Sequence, residues 1–403
     1  MSGPALRPRQ RACWLSALLA ASAAAGCVFE DHCPPDDHTP AEAAALSRAV
    51  AAHRPAEAAG PLTILGVAPS RPAFTTDDQR HLLFELVVEN TSATSVELVE
   101  VDVRGHERRA PLATYRDTAL AGILTIVAGG GATPNSLAPG GVAVAFFDLA
   151  FPLRGALPDR LITRFTLRKD GATSVEAAPT VTVLDDRAPP IGPPLHGDRL
   201  LDLNGCCDGA HRRALLGADG GLFFAQRFAI DFLRIDDQAS FAGDPTNNES
   251  YFLFGAEVIS VGRGRVVETS DGMAENIPTQ PPPPDVQTTP GNHVVVALDD
   301  GRFTLYAHLQ TGSVRVHPGD RVERGQVLGR VGNTGDSTEP HLHFHVMDGP
   351  SPLESDGLPY RFDHFDLQAT VDISTGVPVI LPVPPPQGRR DRLPLGFDLL
   401  EFH

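Results

Sequence analysis

Three histidines alternate with apolar residues in a short segment near the C-terminal end of the chain. His341, His343 and His345 are separated by Leu342 and Phe344. Successive side chains of a β-strand point to opposite faces, so we expect the imidazoles on one face and the apolar residues in a core. Neutral imidazoles are zinc ligands, and a catalytic zinc site keeps one position open for water. The alternation alone predicts either a metal site or, more simply, a solvated strand face.

The segment before these histidines contains a series of short motifs in a specific order. In chain order they are YAHL at 306–309, VHPGDRVERGQ at 316–326, GNTG at 332–335 and PHLHF at 340–344. The series resembles the lysostaphin/LytM-type zinc endopeptidases, which cut peptidoglycan cross-bridges. The resemblance covers 255–347 well and extends weakly back to Leu203. It does not include the N-terminal part of the chain.

The resemblance implies a role for each matching residue. His343 corresponds to a zinc ligand, and Asp231 in the stretch QRFAIDF corresponds to the carboxylate ligand. His308 and His341 correspond to the catalytic imidazoles that flank the reacting water. His345 takes a position where the family often has glutamate, and we expect it behind the ligands rather than among them. Zinc chemistry agrees with these roles, because the metal activates water and polarises an amide carbonyl.

One position departs from the family pattern. The family's first ligand is a histidine four residues before the aspartate, and here that position is Arg227. An arginine is permanently cationic and has no lone pair for a metal. Either another histidine completes the site, or the site is degenerate and binds zinc poorly. His211, in the stretch GCCDGAHRR, is the provisional third ligand; His196 is the second choice and His293 the third.

The elements that must position these residues are predicted to be strands. The chain has 403 residues, 38 of them Gly and 37 Pro, which favours many turns and few long helices. Alternating segments around 80–105, and the Asp170-Gly171 turn, predict an immunoglobulin-like β-sandwich before the all-β peptidase domain. The predicted divisions are a signal peptide at 1–27, a tether at 28–60, the β-sandwich at 61–186, a linker at 187–195, the LytM-type domain at 196–367 and a Pro-rich tail at 368–403. We expect the tail to wrap the surface or lie loose.

The N-terminal residues predict export. Arg7, Arg9 and Arg11 precede an apolar run from Ala12 to Ala25 that is too short to span a bilayer. The run ends in AAGC at 24–27, which resembles a bacterial lipobox and predicts a lipid on Cys27; ordinary signal cleavage nearby is the alternative. The sequence therefore indicates an exported bacterial protein of the cell envelope, anchored to the membrane as a lipoprotein.

The remaining cysteines leave the disulfide connectivity open. Besides Cys13 in the signal and Cys27, the chain has Cys33, Cys206 and Cys207. An exported compartment permits disulfides, and an odd number leaves one thiol over. A bond from Cys33 to one of the adjacent pair is one alternative. No CxxC spacing accompanies the pair, so we do not expect it to bind zinc.

The sequence thus favours a zinc metalloendopeptidase that hydrolyses peptide bonds in peptidoglycan cross-bridges through a metal-activated water. The alternative, suggested by Arg227, is a degenerate LytM-type domain that binds cell wall or activates another hydrolase. A purely structural surface lipoprotein would require the whole histidine set to be coincidence. The formal net charge of −17 argues against nucleic acid as a partner, because binding phosphates needs a cationic surface.

Overall fold

The computed structural model describes residues 60–66, 68–218, 221–236, 239–280, 283, 285–374 and 378–403. The predicted signal peptide, the tether, Cys27 and Cys33 lie outside these residues. Strands make up most of the described chain, which confirms the prediction of an all-β protein. None of the helices in the described part has the length and apolar character needed to cross a lipid bilayer.

The N-terminal domain is one antiparallel sheet of ten strands. Its main strand order is β1-β3-β7-β4-β8-β10, while β2 pairs with β3, β5 with β4, β6 with β7 and β9 with β8. Apolar side chains of β3 and β7 meet those of β4 and β8 in a shared core. The elements are β1 (Leu62–Gly66), β2 (Pro72–Phe74), β3 (Gln79–Asn90), β4 (Val96–Gly105), β5 (Ala113–Arg116), helix α1 (Asp117–Gly122), β6 (Leu124–Gly130), β7 (Ser136–Pro152), β8 (Arg160–Lys169), β9 (Ala172–Ala177) and β10 (Val181–Thr182).

The predicted hairpin at Asp170-Gly171 is present. It joins β8 to β9, with Lys169 opposite Ala172, and both turn residues have positive φ, 49° and 80°. Two consecutive positive φ values are the signature of the tight turn that Asp-Gly favours. The immunoglobulin-like arrangement of the domain remains a prediction.

Strand β3 is buried on both faces. Leu82, Phe84 and Leu86 point into the core of the N-terminal domain. The alternate residues Leu83 and Val87 pack against apolar residues of the C-terminal domain. A strand covered on both sides is apolar almost throughout, because neither face meets water. The two domains are therefore packed closely along this strand.

The C-terminal domain contains a second ten-stranded sheet, in the order β19-β16-β17-β18-β21-β14-β11-β24-β22-β23, and two small sheets, β12-β13 and β15-β20. Its elements are β11 (Gly197–Leu203), helix α2 (Ala210–Arg213), β12 (Leu216–Ala218), β13 (Gly221–Phe223), β14 (Ile230–Arg234), a 3-10 turn (Asn248–Ser250), β15 (Glu257–Ile259), β16 (Gly264–Ser270), β17 (His293–Leu298), β18 (Phe303–Ala307), β19 (Arg321–Val322), β20 (Val327–Arg330), β21 (Leu342–Met347), β22 (Phe362–Asp372), β23 (Val379–Arg392) and β24 (Asp398–Phe402).

The segment 368–403 differs from the expectation of a loose or surface-wrapping tail. Strand β24 lies inside the large sheet, between β11 and β22, and buries Leu399, Leu400 and Phe402. The prolines of this segment are concentrated in β23, which is the last strand of the sheet. Proline is tolerated on an edge strand because its missing N–H removes no hydrogen bond to a further neighbour. The Pro-rich composition therefore reflects an edge strand and not an unstructured tail.

Cys206 and Cys207 form a disulfide with each other. The alternative of a bond from Cys33 to either of them is therefore not adopted. Both residues are buried, and both belong to an apolar cluster that contains residues of the two domains.

Candidate metal centre

The register of three neighbouring strands places the first two candidate ligands side by side. His343 on β21 lies opposite Asp231 on β14 and, on its other side, opposite Ala307 on β18. Residues directly opposite one another in an antiparallel pair share a face of the sheet. Accordingly His343 Nδ1 is 2.9 Å from Asp231 Oδ1. The period of two in β21 turns His345 to the same face, where its Nδ1 is 3.0 Å from His343 Nε2.

Helix α2 brings a third candidate ligand to the same point. His211 Nε2 is 3.1 Å from Asp231 Oδ2, and the His211 and His343 ring centroids are 4.7 Å apart. One ligand atom from each of His211, Asp231 and His343 lies within 4.8 Å of the other two. Two imidazoles and one carboxylate are a donor set that catalytic zinc sites use, with a fourth position left for water. The residues present therefore fit zinc.

Asp231 is held in its ionised form. Burial by itself would raise its pKa, but the adjacent His211 and His341 outweigh burial and hold the pKa of this carboxyl well below its usual range. Asn204 adds a hydrogen bond from Nδ2 to Asp231 Oδ2, at 3.0 Å. An ionised carboxylate is the form that a metal ligand requires.

The two candidate catalytic histidines flank the donor group. The ring centroids of His308 and His341 are 4.6 Å apart, and His341 Nε2 is 3.5 Å from Asp231 Oδ1. His308 Nδ1 donates to the carbonyl of Thr334 at 2.7 Å, and His341 Nδ1 donates to the carbonyl of Glu339 at 2.8 Å. Each backbone contact holds Nδ1 and fixes the ring orientation, and in His341 it leaves Nε2 facing Asp231.

The two rings differ in their electrostatic surroundings. Burial lowers the pKa of His308 well below its usual value, and the neighbouring His341 and His343 lower it further. For His341, burial also lowers the pKa, but the nearby Asp231 carboxylate outweighs it, and the net shift is upward. Two adjacent histidines with opposite pKa shifts can accept and donate protons in the same site.

Arg227 lies outside the donor group. Its guanidinium points to the domain interface, where Nε donates to Glu85 Oε2 at 2.9 Å. Of the alternative ligands, His196 is exposed, and His293 is hydrogen-bonded to the carbonyl of Gly291 and to Glu268. Within the described residues, only His211 of these three candidate histidines joins the group that could hold a metal.

Sequence reasoning missed the residues that orient the site. Asn204, Thr334 and Ser337 contact Asp231, His308 and His341, respectively. Asn204 follows directly after β11 with a positive φ of 59°, a conformation that asparagine tolerates better than most residues. An asparagine directly after a strand is the one sequence signal that could have identified Asn204.

Comparison with known proteins agrees with the predicted resemblance. Residues 252–355 match Peptidase family M23. Over 58 residues the chain is 47% identical to the glycyl-glycine endopeptidase ALE-1 of Staphylococcus capitis, which is 14% of this chain and 16% of that protein. Over 65 residues it is 38% identical to the peptidoglycan DD-endopeptidase ShyA of Vibrio cholerae, 16% of this chain and 15% of that protein. The resemblance to lysostaphin/LytM-type peptidases is thereby confirmed for this segment.

Among solved structures, the catalytic domain of lysostaphin from Staphylococcus simulans is 26% identical, and the alignment covers 35% of this chain and 80% of that domain with a TM-score of 0.22. The chain spans less than one fifth of the length of the two curated relatives named above. Arg227 and His211 both lie outside the matched segment 252–355.

Proposed function

We propose that the C-terminal domain is a zinc metalloendopeptidase that hydrolyses peptide bonds in peptidoglycan. The observation that carries the proposal is the buried group of His211, Asp231 and His343, with His308 and His341 beside it. Peptidoglycan as the substrate is supported by the names of relatives that share the motif-bearing segment. The fold alone does not determine the substrate.

Each residue has a task that follows from its contacts. The chemistry that zinc supplies in such a site is a lowered water pKa and a polarised peptide carbonyl. His211, Asp231 and His343 would hold the metal. Asn204 and His345 would keep two of these ligands in place through the hydrogen bonds described above. Outer partners of this kind orient metal ligands.

His308 and His341 are assigned to proton transfer and to the substrate oxygen. In both rings Nδ1 is held by a backbone carbonyl. His341 Nε2 faces Asp231, and the His308 ring centroid is 5.7 Å from that of His343. A histidine within hydrogen-bond reach of the reacting water can take its proton and later deliver a proton to the leaving amine. The second histidine can then donate a hydrogen bond to the oxygen on which negative charge develops.

The proposal is tested by measuring metal content and the hydrolysis of purified peptidoglycan. We expect one zinc per chain in the wild type and in His341→Ala, and cleavage only in the wild type. His196→Ala is the matched control, because it removes an exposed histidine of the same domain. Zinc without cleavage in the wild type would instead favour the degenerate domain that binds cell wall or activates another hydrolase. Absence of both would contradict the proposal.

We also propose that the protein is exported and attached to the cell envelope through a lipid on Cys27. The support is the lipobox-like end of the apolar N-terminal run. Labelling with a fatty-acid analogue should mark the wild type and not Cys27→Ser. Equal labelling of both proteins would contradict the anchor.

A further inference from the structure

Three consecutive residues of helix α2 point to two different parts of the molecule. His211 faces Asp231 in the donor group, and the next two side chains contact the N-terminal domain. Arg212 Nη2 donates to the carbonyl of Phe147 on β7 at 2.5 Å. Arg213 Nη1 donates to Thr125 Oγ1 on β6 at 3.2 Å. The candidate ligand is therefore followed directly by two anchors on the other domain.

Glu85 on β3 joins this helix to Arg227. One carboxylate oxygen accepts from Arg212 Nε at 3.3 Å, and the other accepts from Arg227 Nε at 2.9 Å. The exposed fractions are 2% for Glu85, 2% for Arg212 and 6% for Arg227. A buried ion cluster is stable only when its charges are paired. Loss of Glu85 would leave Arg212 with backbone carbonyl partners alone. It would leave Arg227 with the carboxylate of Asp356 at 3.9 Å as its nearest ion-pair partner. We call these three residues the interdomain cluster.

Apolar packing surrounds the interdomain cluster. Leu215, just after α2, and Phe224 pack against Val87 and Phe146 of the N-terminal domain. Helix α2 has four residues, far fewer than a helix needs for stability of its own. On the peptidase side, His211 itself is held by a contact of its Nδ1 with the carbonyl of Ala229, at 3.2 Å. The position of α2 therefore depends largely on the N-terminal domain.

We infer that the N-terminal domain is a structural part of the metal centre, and that Glu85 is a positioning residue for His211. Glu85 fixes Arg212, and Arg212 fixes the neighbouring His211 against Asp231. Arg227, which stands where the related peptidases have a ligand, completes the interdomain cluster instead. The inference rests on the proposed function in one respect, since it takes His211 as a zinc ligand.

The test compares zinc affinity, by chelator competition, in the full mature chain and three variants. Glu85→Gln and Arg212→Met remove one partner from the interdomain cluster without touching a ligand. The matched control is Leu83→Ala, on the same face of β3, where it removes apolar interdomain packing instead. Thermal unfolding of the zinc-free proteins reports general destabilisation separately.

We expect Glu85→Gln and Arg212→Met to weaken zinc binding by about 10- to 100-fold, the usual cost of losing an outer partner of a metal ligand. Leu83→Ala should lower thermal stability and leave zinc affinity unchanged. Arg212→Lys, which keeps the charge but not the planar fork, should fall between Arg212→Met and the wild type.

Two results would overturn the inference. One is wild-type zinc affinity in both Glu85→Gln and Arg212→Met. The other is a loss of affinity in Leu83→Ala as large as in Glu85→Gln, since that would show a general effect of domain packing. A wild type that binds zinc but cleaves no peptidoglycan contradicts the proposed activity and leaves this inference standing. A wild type that binds no zinc contradicts both.

Discussion

The two halves of the candidate metal centre are built in different ways. Asp231 and His343 lie on adjacent strands, and the register of the sheet places them opposite each other. His211 lies on a four-residue helix, and the next two side chains, Arg212 and Arg213, are anchored in a different domain. The first half is positioned by backbone hydrogen bonds within one sheet, whereas the second half is positioned by side chains that cross a domain interface. Under the proposed function, the ligand that Arg227 cannot supply comes from outside the sheet, and a second domain holds the helix that carries it.

The largest effect on zinc binding is expected when the histidine of either half of the site is replaced. His343→Ala and His211→Ala should each weaken zinc binding by more than about 100-fold, because a direct ligand contributes more than an outer partner. Hydrolysis should fall to background in both. Chelator competition gives the affinities, and His196→Ala is the control. If His211→Ala kept wild-type zinc affinity, His211 would not be a ligand, and the metal would be held by residues of the strands alone.

A second variant separates metal binding from proton transfer. His341→Ala should retain zinc and lose about 10²- to 10⁴-fold in the rate of peptide hydrolysis, the usual contribution of a positioned acid or base. Metal analysis and peptidoglycan digestion of the same preparation provide both readouts. Loss of zinc together with activity would instead make His341 a zinc ligand, beside Asp231 and His343 on the strands.

Packing beside helix α2 should matter to the metal, and packing elsewhere should not. Leu215→Ala and Leu399→Ala each remove a buried leucine, with exposed fractions of 3% and 5%. Each should cost about 2–5 kcal/mol of unfolding free energy. Only Leu215→Ala should also weaken zinc binding, because Leu215 supports the helix that carries His211. Denaturant unfolding and zinc competition measure the two effects. Equal zinc affinities in both variants would argue that α2 holds its position without this contact.

The smallest effect is expected at a second interdomain contact, in the same large sheet as Asp231 and His343. Asp398 on β24 accepts a hydrogen bond from Thr76 of the N-terminal domain, and burial raises the pKa of this carboxyl to about 6. The Asp398 carboxyl therefore binds its proton more tightly in the folded protein than in the unfolded chain. Stability therefore falls as pH rises from about 4 to about 6 and stays lowered above that, by at most about 3 kcal/mol.

Asp398→Asn removes this pH dependence. The variant should be more stable than the wild type above pH 6, by about 1–3 kcal/mol, and similar to it near pH 4. Denaturant unfolding at the two pH values provides the measurement, with the exposed Asp159→Asn as control. Zinc affinity should not change, since the strand-borne ligands do not depend on this contact. Greater stability of the wild type at neutral pH would show that the ionised carboxylate is favoured in the folded state.

The sequence by itself identified much of the peptidase-like segment. The alternation in HLHFHV predicted a strand with its histidines on one face, and the hairpin at Asp170-Gly171 followed from its turn residues. Both signals are local, since a strand has a period of two and a tight turn needs particular residues at fixed positions. The placement of Asp231 beside His343 agrees with the role that the family resemblance implied.

Two features could not be read from the sequence in the same way. The prolines of 368–403 indicated a tail that wraps the surface or lies loose, but most of them lie on β23, an edge strand of the large sheet. His211 was the first of three candidate replacements for Arg227, but the sequence could not show that its ring reaches Asp231. Whether a strand lies at an edge, or a histidine reaches a distant carboxylate, depends on partners that the chain brings together only when folded.

Glu85 is a residue whose environment could not be predicted from the sequence. It is 127 residues from Arg212 and 142 from Arg227 in sequence, and each pair is in contact through a buried ion pair. In sequence it is one polar residue in an alternating strand, with a solvent-exposed position as the natural expectation. The tertiary structure turns that face of β3 towards the other domain, so the same carboxylate becomes buried between two arginines. Periodicity determined which residues share a face, and domain packing decided what that face meets.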